Sequence, residues 1–164
     1  MELTIEAGWL VQLKNSALVE IVNQWVWTYP MIEVVHILGI TLLVGSVALF
    51  DLRLLGVSRH LLVTDLAQHL LPVSYAGFGV VVLSGFLLFA TDAPAIALNP
   101  IFRLKLILIL GTGINAMIFH GKCYPSVLQW NRNIKPPGRV QLIAMVSLLL
   151  WVAVIICGNL IAYV

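Results

Sequence analysis

A chain of 164 residues that is 61% hydrophobic and only 10% charged, with a mean hydropathy of +1.04, lies far from soluble domains, which are roughly 45–50% apolar and about 25% charged. The formal net charge of +2 is spread over nine basic residues, which excludes a phosphate-tracking nucleic-acid surface, and two cysteines cannot staple a disulfide scaffold. What remains is an integral membrane protein whose first partner is the lipid bilayer.

Residues 1–28 precede the first long apolar run. Their start, Met1-Glu2-Leu3-Thr4-Ile5-Glu6, is acidic and is followed by no small-residue cleavage site, unlike a signal peptide. Leu3, Leu10, Leu13, Ile21, Val22 and Trp25 alternate with polar residues, a pattern that predicts an amphipathic helical segment lying on the membrane interface. Trp25, Trp27 and Tyr29, just before Pro30, read as an aromatic belt at the mouth of the first span.

Residues 29–164 form the second segment, with four spans at about 30–52, 69–91, 100–120 and 140–162. From Tyr29 to Phe50 the only ionisable groups are Glu33 and His36, and Asp51 to Arg53 closes the run. No charge lies between His69 and Asp92, or from Val140 to the C-terminus. The third run carries Arg103 and Lys105 near its start, where long stems can snorkel to the headgroups. About 20 apolar residues cross the hydrocarbon core as a helix, which satisfies every backbone group internally. Short links, the last containing Pro125, Pro136, Pro137 and Gly138, imply an all-α, up-down-up-down four-helix bundle. No two glycines within the spans are four apart, so the G-x-x-x-G packing motif is absent.

Lys and Arg counts set the expected orientation. Arg53, Arg59, Lys122, Arg132, Lys135 and Arg139 lie on the side of loops one and three, against Lys14, Arg103 and Lys105 on the other. The positive-inside rule then puts loops one and three in the cytoplasm and both termini outside, in the periplasm of a bacterial inner membrane.

Ionisable groups inside lipid are costly, so they are the candidates for chemistry. His69 and His120 lie about 26 and 25 residues either side of the second link's centre. At 1.5 Å per residue they share a depth to within roughly 3 Å. Two such imidazoles can be axial ligands of a b-type haem, with Arg53, Lys122 and Arg139 at propionate depth; equally, they can be two helix-end residues at the interface. Glu33 and His36, at i and i+3, share a helical face in the E-x-x-H arrangement that carboxylate bundles use for metal, near the expected depth of Asp92, Asn159 and Tyr163. A plain Glu–His hydrogen bond closing the bundle end is the alternative. Met117, His120 and Cys123, at i, i+3 and i+6, offer the soft ligands that suit copper(I), unless Gly121 ends the helix and turns Cys123 away. His60 reads as a solvated loop residue. Cys157 lies near the opposite face from Cys123, which excludes a disulfide. No nucleophile–base–orienter set supports hydrolytic chemistry.

Trp27-Thr28-Tyr29-Pro30, Glu33-x-x-His36, Asp51-Leu52-Arg53-Leu54-Leu55-Gly56, Asn99-Pro100-x-Phe102-Arg103-Leu104-Lys105 and Asn115-Ala116-x-x-Phe119-His120 together resemble a family of small four-helix bacterial inner-membrane proteins. That family is similar in layout to copper-resistance D-type proteins and transmembrane b-type cytochromes. The resemblance implies haem-linked electron transfer or copper passage, and carries over Glu33, His36, Arg53, Arg103 and His120. The expectation is a haem b electron carrier. His69 and His120 would hold iron, Arg53 and Lys122 the propionates, and Glu33 with His36 an outer quinone, metal or partner site; a membrane or periplasmic redox partner and a homo-oligomer accompany it. The alternatives are a copper-handling or small-solute transport protein, using Met117 and Cys123, and a structural subunit whose polar residues fix helix register.

Overall fold

The computed structural model describes residues 2–163, with the side chains of residues 8–161 and of Tyr163. Met1 and Val164, the outer ends of the two expected segments, lie outside the described residues, as does the Leu3 side chain. Every regular element described is helical: α1 (Glu2–Lys14), α2 (Ala17–Asn23), α3 (Thr28–Leu54), α4 (Val63–Thr91), α5 (Ala93–Leu98), α6 (Pro100–Ile118) and α7 (Gly138–Leu160). Beyond α6 the chain continues through a π-helical turn, Phe119–Cys123, and a 3-10 stretch, Tyr124–Gln129. Among the described residues, α3, α4, α6 with its continuation, and α7 are long and apolar enough to cross a membrane. The chain is a multi-pass, all-α membrane bundle.

Three spans begin and end within a few residues of expectation, whereas α4 starts at Val63 instead of 69. Asp65 sits in its first turn, where the helix dipole favours a carboxylate. The Thr64 backbone N–H donates to Asn131 Oδ1 at 3.1 Å, a cap supplied from a link 67 residues away. A charge was therefore no sign of the helix end. The start of α6 obeys local rules: Asn99 Oδ1 accepts from the N–H groups of Ile101 and Phe102 (2.9 and 3.4 Å), and Pro100 occupies the first helical position.

The start of α1 and the end of α7, with α2 and α5, lie at one end of the bundle, here the terminal face. The links 55–62 and 124–137 lie at the other, the loop face. α3 and α4 form one antiparallel hairpin and α6 and α7 the other, joined mainly where α3 meets α7. α4 and α6 have little direct backbone contact; near the terminal face the stacked rings of Phe89 and Phe102, 5.3 Å apart, bridge them.

In lipid, helices are held by close packing and interhelical hydrogen bonds, since burial against a neighbour gains little over burial in acyl chains. The α3–α4 seam shows both. A Cβ on Gly77 would lie 2.7 Å from the Leu43 amide nitrogen and 3.0 Å from the Gly39 carbonyl, so the two backbones touch there. Ser46 and Ser74 share a hydrogen bond of 2.7 Å, and His36 and Ser84 one of 2.9 Å. His36–Ser84, Leu43–Gly77 and Ser46–Ser74 advance in step along the two helices, so one continuous register fixes the rotation of α4. The G-x-x-x-G motif is unnecessary because the close approach uses glycines from different helices.

α1 packs on α5 and the end of α4, and α2 on α3 and α4. Leu10, Val19 and Val22 are buried there while Trp9, Val11, Ile21 and Trp25 are exposed. Apolar side chains thus occupy both sides of the segment, one holding the bundle and one left outward.

Candidate functional site

The two charges that close α3 face different ways. Asp51 and Arg53 are two residues apart and so point to opposite sides of the helix; both are almost wholly buried, at 5% and 2% exposure, and they form no ion pair. Arg53 turns toward the loop face. Its Nε donates to the Leu61 carbonyl (2.8 Å), and its Nη2 donates to the carbonyls of Arg59 (3.2 Å) and Asn131 (2.9 Å). Asn131 in turn accepts from the backbone N–H groups of Val63 and Thr64, and Arg132 donates to the His60 carbonyl. The guanidinium is the hub that ties both loop-face links to the start of α4.

Asp51 turns inward, to a chamber of about 80 Å³ lined by all four spans: Val47, Phe50 and Asp51 from α3; Leu70, Leu71 and Ser74 from α4; Asn115 and Ala116 from α6, with Phe119 and His120 from the π turn; Ile143 and Ser147 from α7. The Ser147 hydroxyl lies beside the carboxylate, while Asp51 Oδ2 has no hydrogen-bond partner. Asn115 donates its amide to the Ile143 carbonyl at 3.1 Å. The His120 ring is set against Phe119 and Tyr124 (centroids 5.3 and 5.7 Å apart). A buried carboxylate is therefore held in a mostly apolar, four-helix space into which Ser74, Asn115, His120 and Ser147 bring the other polar groups, with room for a few waters and no cation beside it. Sequence reasoning used Asp51 only as the end-marker of a span. The signal was there: it is an acid within an apolar helix, the residue class that lipid tolerates least without a purpose.

His36 occupies the other half of the bundle. The Ser84 hydroxyl donates to the Val80 carbonyl (2.5 Å), so it accepts from His36 Nδ1–H. The imidazole rests on Gly85, where a Cβ would meet its Cε1 at 3.0 Å. Lys105 does not snorkel out as the sequence suggested: its Nζ reaches inward to Gly158 on α7 (3.4 Å from a Cβ built there), within coulombic range of His36.

The sequence-derived haem set does not come together. His69 is exposed, and its Nδ1 lies 2.7 Å from the Asp65 carbonyl of its own helix. At 100° per residue it is roughly 160° around α4 from Ala67 and Leu71, which face inward. His120 faces the chamber, so equal depth is matched by opposed direction. Arg53 is engaged by carbonyls, and Lys122 is exposed; these four residues do not fit a haem. Glu33 is exposed and makes no bond to His36, while Asn159 and Tyr163 are exposed and Asp92 pairs instead with Lys14 at 2.8 Å. Met117 faces outward at 74% exposure, whereas the π turn carries Cys123 into the core, so the expected copper stripe is split. No group of three or more His, Cys, Asp or Glu converges among the described residues. Comparison of the chain with models of known families, with characterised proteins and with solved structures finds no match.

Proposed function

We propose that this chain is a small membrane transport protein in which Asp51 binds a proton during solute or ion passage, with His120 as its neighbour in the relay. The observation that carries the reading is the Asp51 carboxylate. It is buried inside the spans, unpaired at Oδ2, and placed where all four helices meet around a small space with a few polar side chains in an otherwise apolar wall. An isolated charge there is costly, and protonation or a bound cation relieves that cost. Ser74, Asn115 and Ser147 line the same chamber with hydroxyl and amide groups that can order water. The electron-carrier reading would need an iron held otherwise than by His69 with His120.

A pH-sensitive dye trapped in vesicles containing the purified protein tests this. Under an imposed membrane potential, wild-type vesicles acidify or alkalinise faster than protein-free ones. Asp51→Asn, an isosteric change that removes the unpaired charge and keeps the fold, falls to the protein-free rate, and His120→Gln slows it. Wild-type vesicles indistinguishable from empty ones, or undiminished flux in Asp51→Asn, overturn the assignment. The structural-subunit reading rests on a specific observation too: His36–Ser84, Ser46–Ser74 and Asn115–Ile143 all join two helices. It predicts no flux in any variant.

A further inference from the structure

A second concave feature is separate from the chamber. It is a groove of about 410 Å³ on the loop-face half of α4, closed on one side by the 3-10 stretch after α6. That volume falls in the range of small-molecule sites. From the geometry we infer that this groove is a binding site for a neutral amphiphile with a flat, hydrogen-bonding head, the chemical class of lipid-soluble quinols and quinones.

The groove changes character with depth. Thr64 and Gln68 give it a polar end near the loop face, while Leu71, Pro72 and Tyr75 form an apolar and aromatic end roughly 5–17 Å further along the helix, by the helical rise of 1.5 Å per residue. A ligand with a polar head at the interface and an apolar body in the acyl region matches that gradient. No Lys, Arg or His lines the groove, so nothing there neutralises a phosphate, which argues against an anionic phospholipid headgroup. Hydrogen-bonding capacity is available. The Gln68 side chain makes no hydrogen bond among the described residues, and Pro72 has no N–H to offer the Gln68 carbonyl one turn back. Two tyrosines line the groove, Tyr75 at its apolar end with 66% exposure and Tyr124 from the 3-10 stretch, and aromatic surface of this kind suits a flat conjugated ligand. Leu71 lines both the groove and the chamber, and the Tyr124 ring packs against that of His120, so a bound molecule would lie one side chain from the interior.

The test uses the full-length protein in detergent with two photoreactive probes, a decyl-substituted benzoquinone and a phosphatidylglycerol, mapped by mass spectrometry. The quinone probe is expected to label the stretch of α4 between Val63 and Tyr75 and the region of Tyr124. Unlabelled decylbenzoquinone should compete, and the labelling should be lost in Gln68→Trp, which fills the groove from an exposed position. Labelling spread evenly over the spans, labelling unchanged in Gln68→Trp, or preferential capture of the phosphatidylglycerol probe at this groove overturns the inference. The flux of Asp51→Asn vesicles does not enter this readout, so the groove and the chamber stand or fall separately.

Discussion

The two ends of the bundle are held by different physics. At the loop face, one fully buried guanidinium gathers three backbone carbonyls from two links, over a cluster that includes Phe50, Leu54, Phe119, Trp130 and Val140. At the terminal face, short helices lie across the bundle, and the ion pair between Lys14 and Asp92 is about half exposed on both sides. A buried charge in a low-dielectric setting is strongly bonded or strongly destabilising, whereas an exposed pair is screened and nearly neutral. The loop face is therefore the rigid end, and the chamber with its unpaired acid is built just beneath it.

That contrast can be broken from its strong side first. Arg53→Met leaves three backbone carbonyls without their donor, at about 1–3 kcal/mol for each that stays buried and unsatisfied, and should show as a large loss of thermal stability in detergent with faster proteolysis in both loop-face links. Arg53→Lys, with a single ammonium in place of the planar fork, should recover only part of that loss. Gly77→Leu comes next. Its side chain would enter the Leu43 backbone, and overpacking of this kind costs about 1–3 kcal/mol; the expected result is a looser α3–α4 hairpin, seen as raised hydrogen exchange along the seam. Smallest of all is Lys14→Ala, worth at most about 1 kcal/mol and fading with added salt, as exposed pairs do. A loss from Lys14→Ala comparable to that from Arg53→Met would erase the distinction between the two ends.

Most of the fold was legible because lipid imposes a simple rule: long charge-free runs must be helices, and short links must turn them back. What the runs could not give was rotation. His69 and His120 were placed at one depth by counting, yet depth says nothing about azimuth. The small residues Ser74, Gly77 and Ser84 mark the inner face of α4, and His69 lies off that stripe, so this part was available to a closer reading. The role of Arg53 was not. Its partners are carbonyls of Leu61, Arg59 and Asn131, which every residue possesses and no motif advertises. The sequence allowed for Cys123 leaving the Met117 stripe if Gly121 ended the helix, but not for a turn of unusual pitch that carries it into the core.

That turn, Phe119–Cys123, carries an implication for chain length. A π turn holds one more residue per hydrogen-bonded loop than an α turn, so it is the place where an odd residue is stored. Held at ordinary α pitch instead, the same residues would swing everything after the turn by about 100°. Cys123 would leave the core and Tyr124 would abandon its seat beside His120. The spacing between α6 and the proline-rich link is thus a coded quantity in its own right, as binding on this architecture as the identity of any side chain in it.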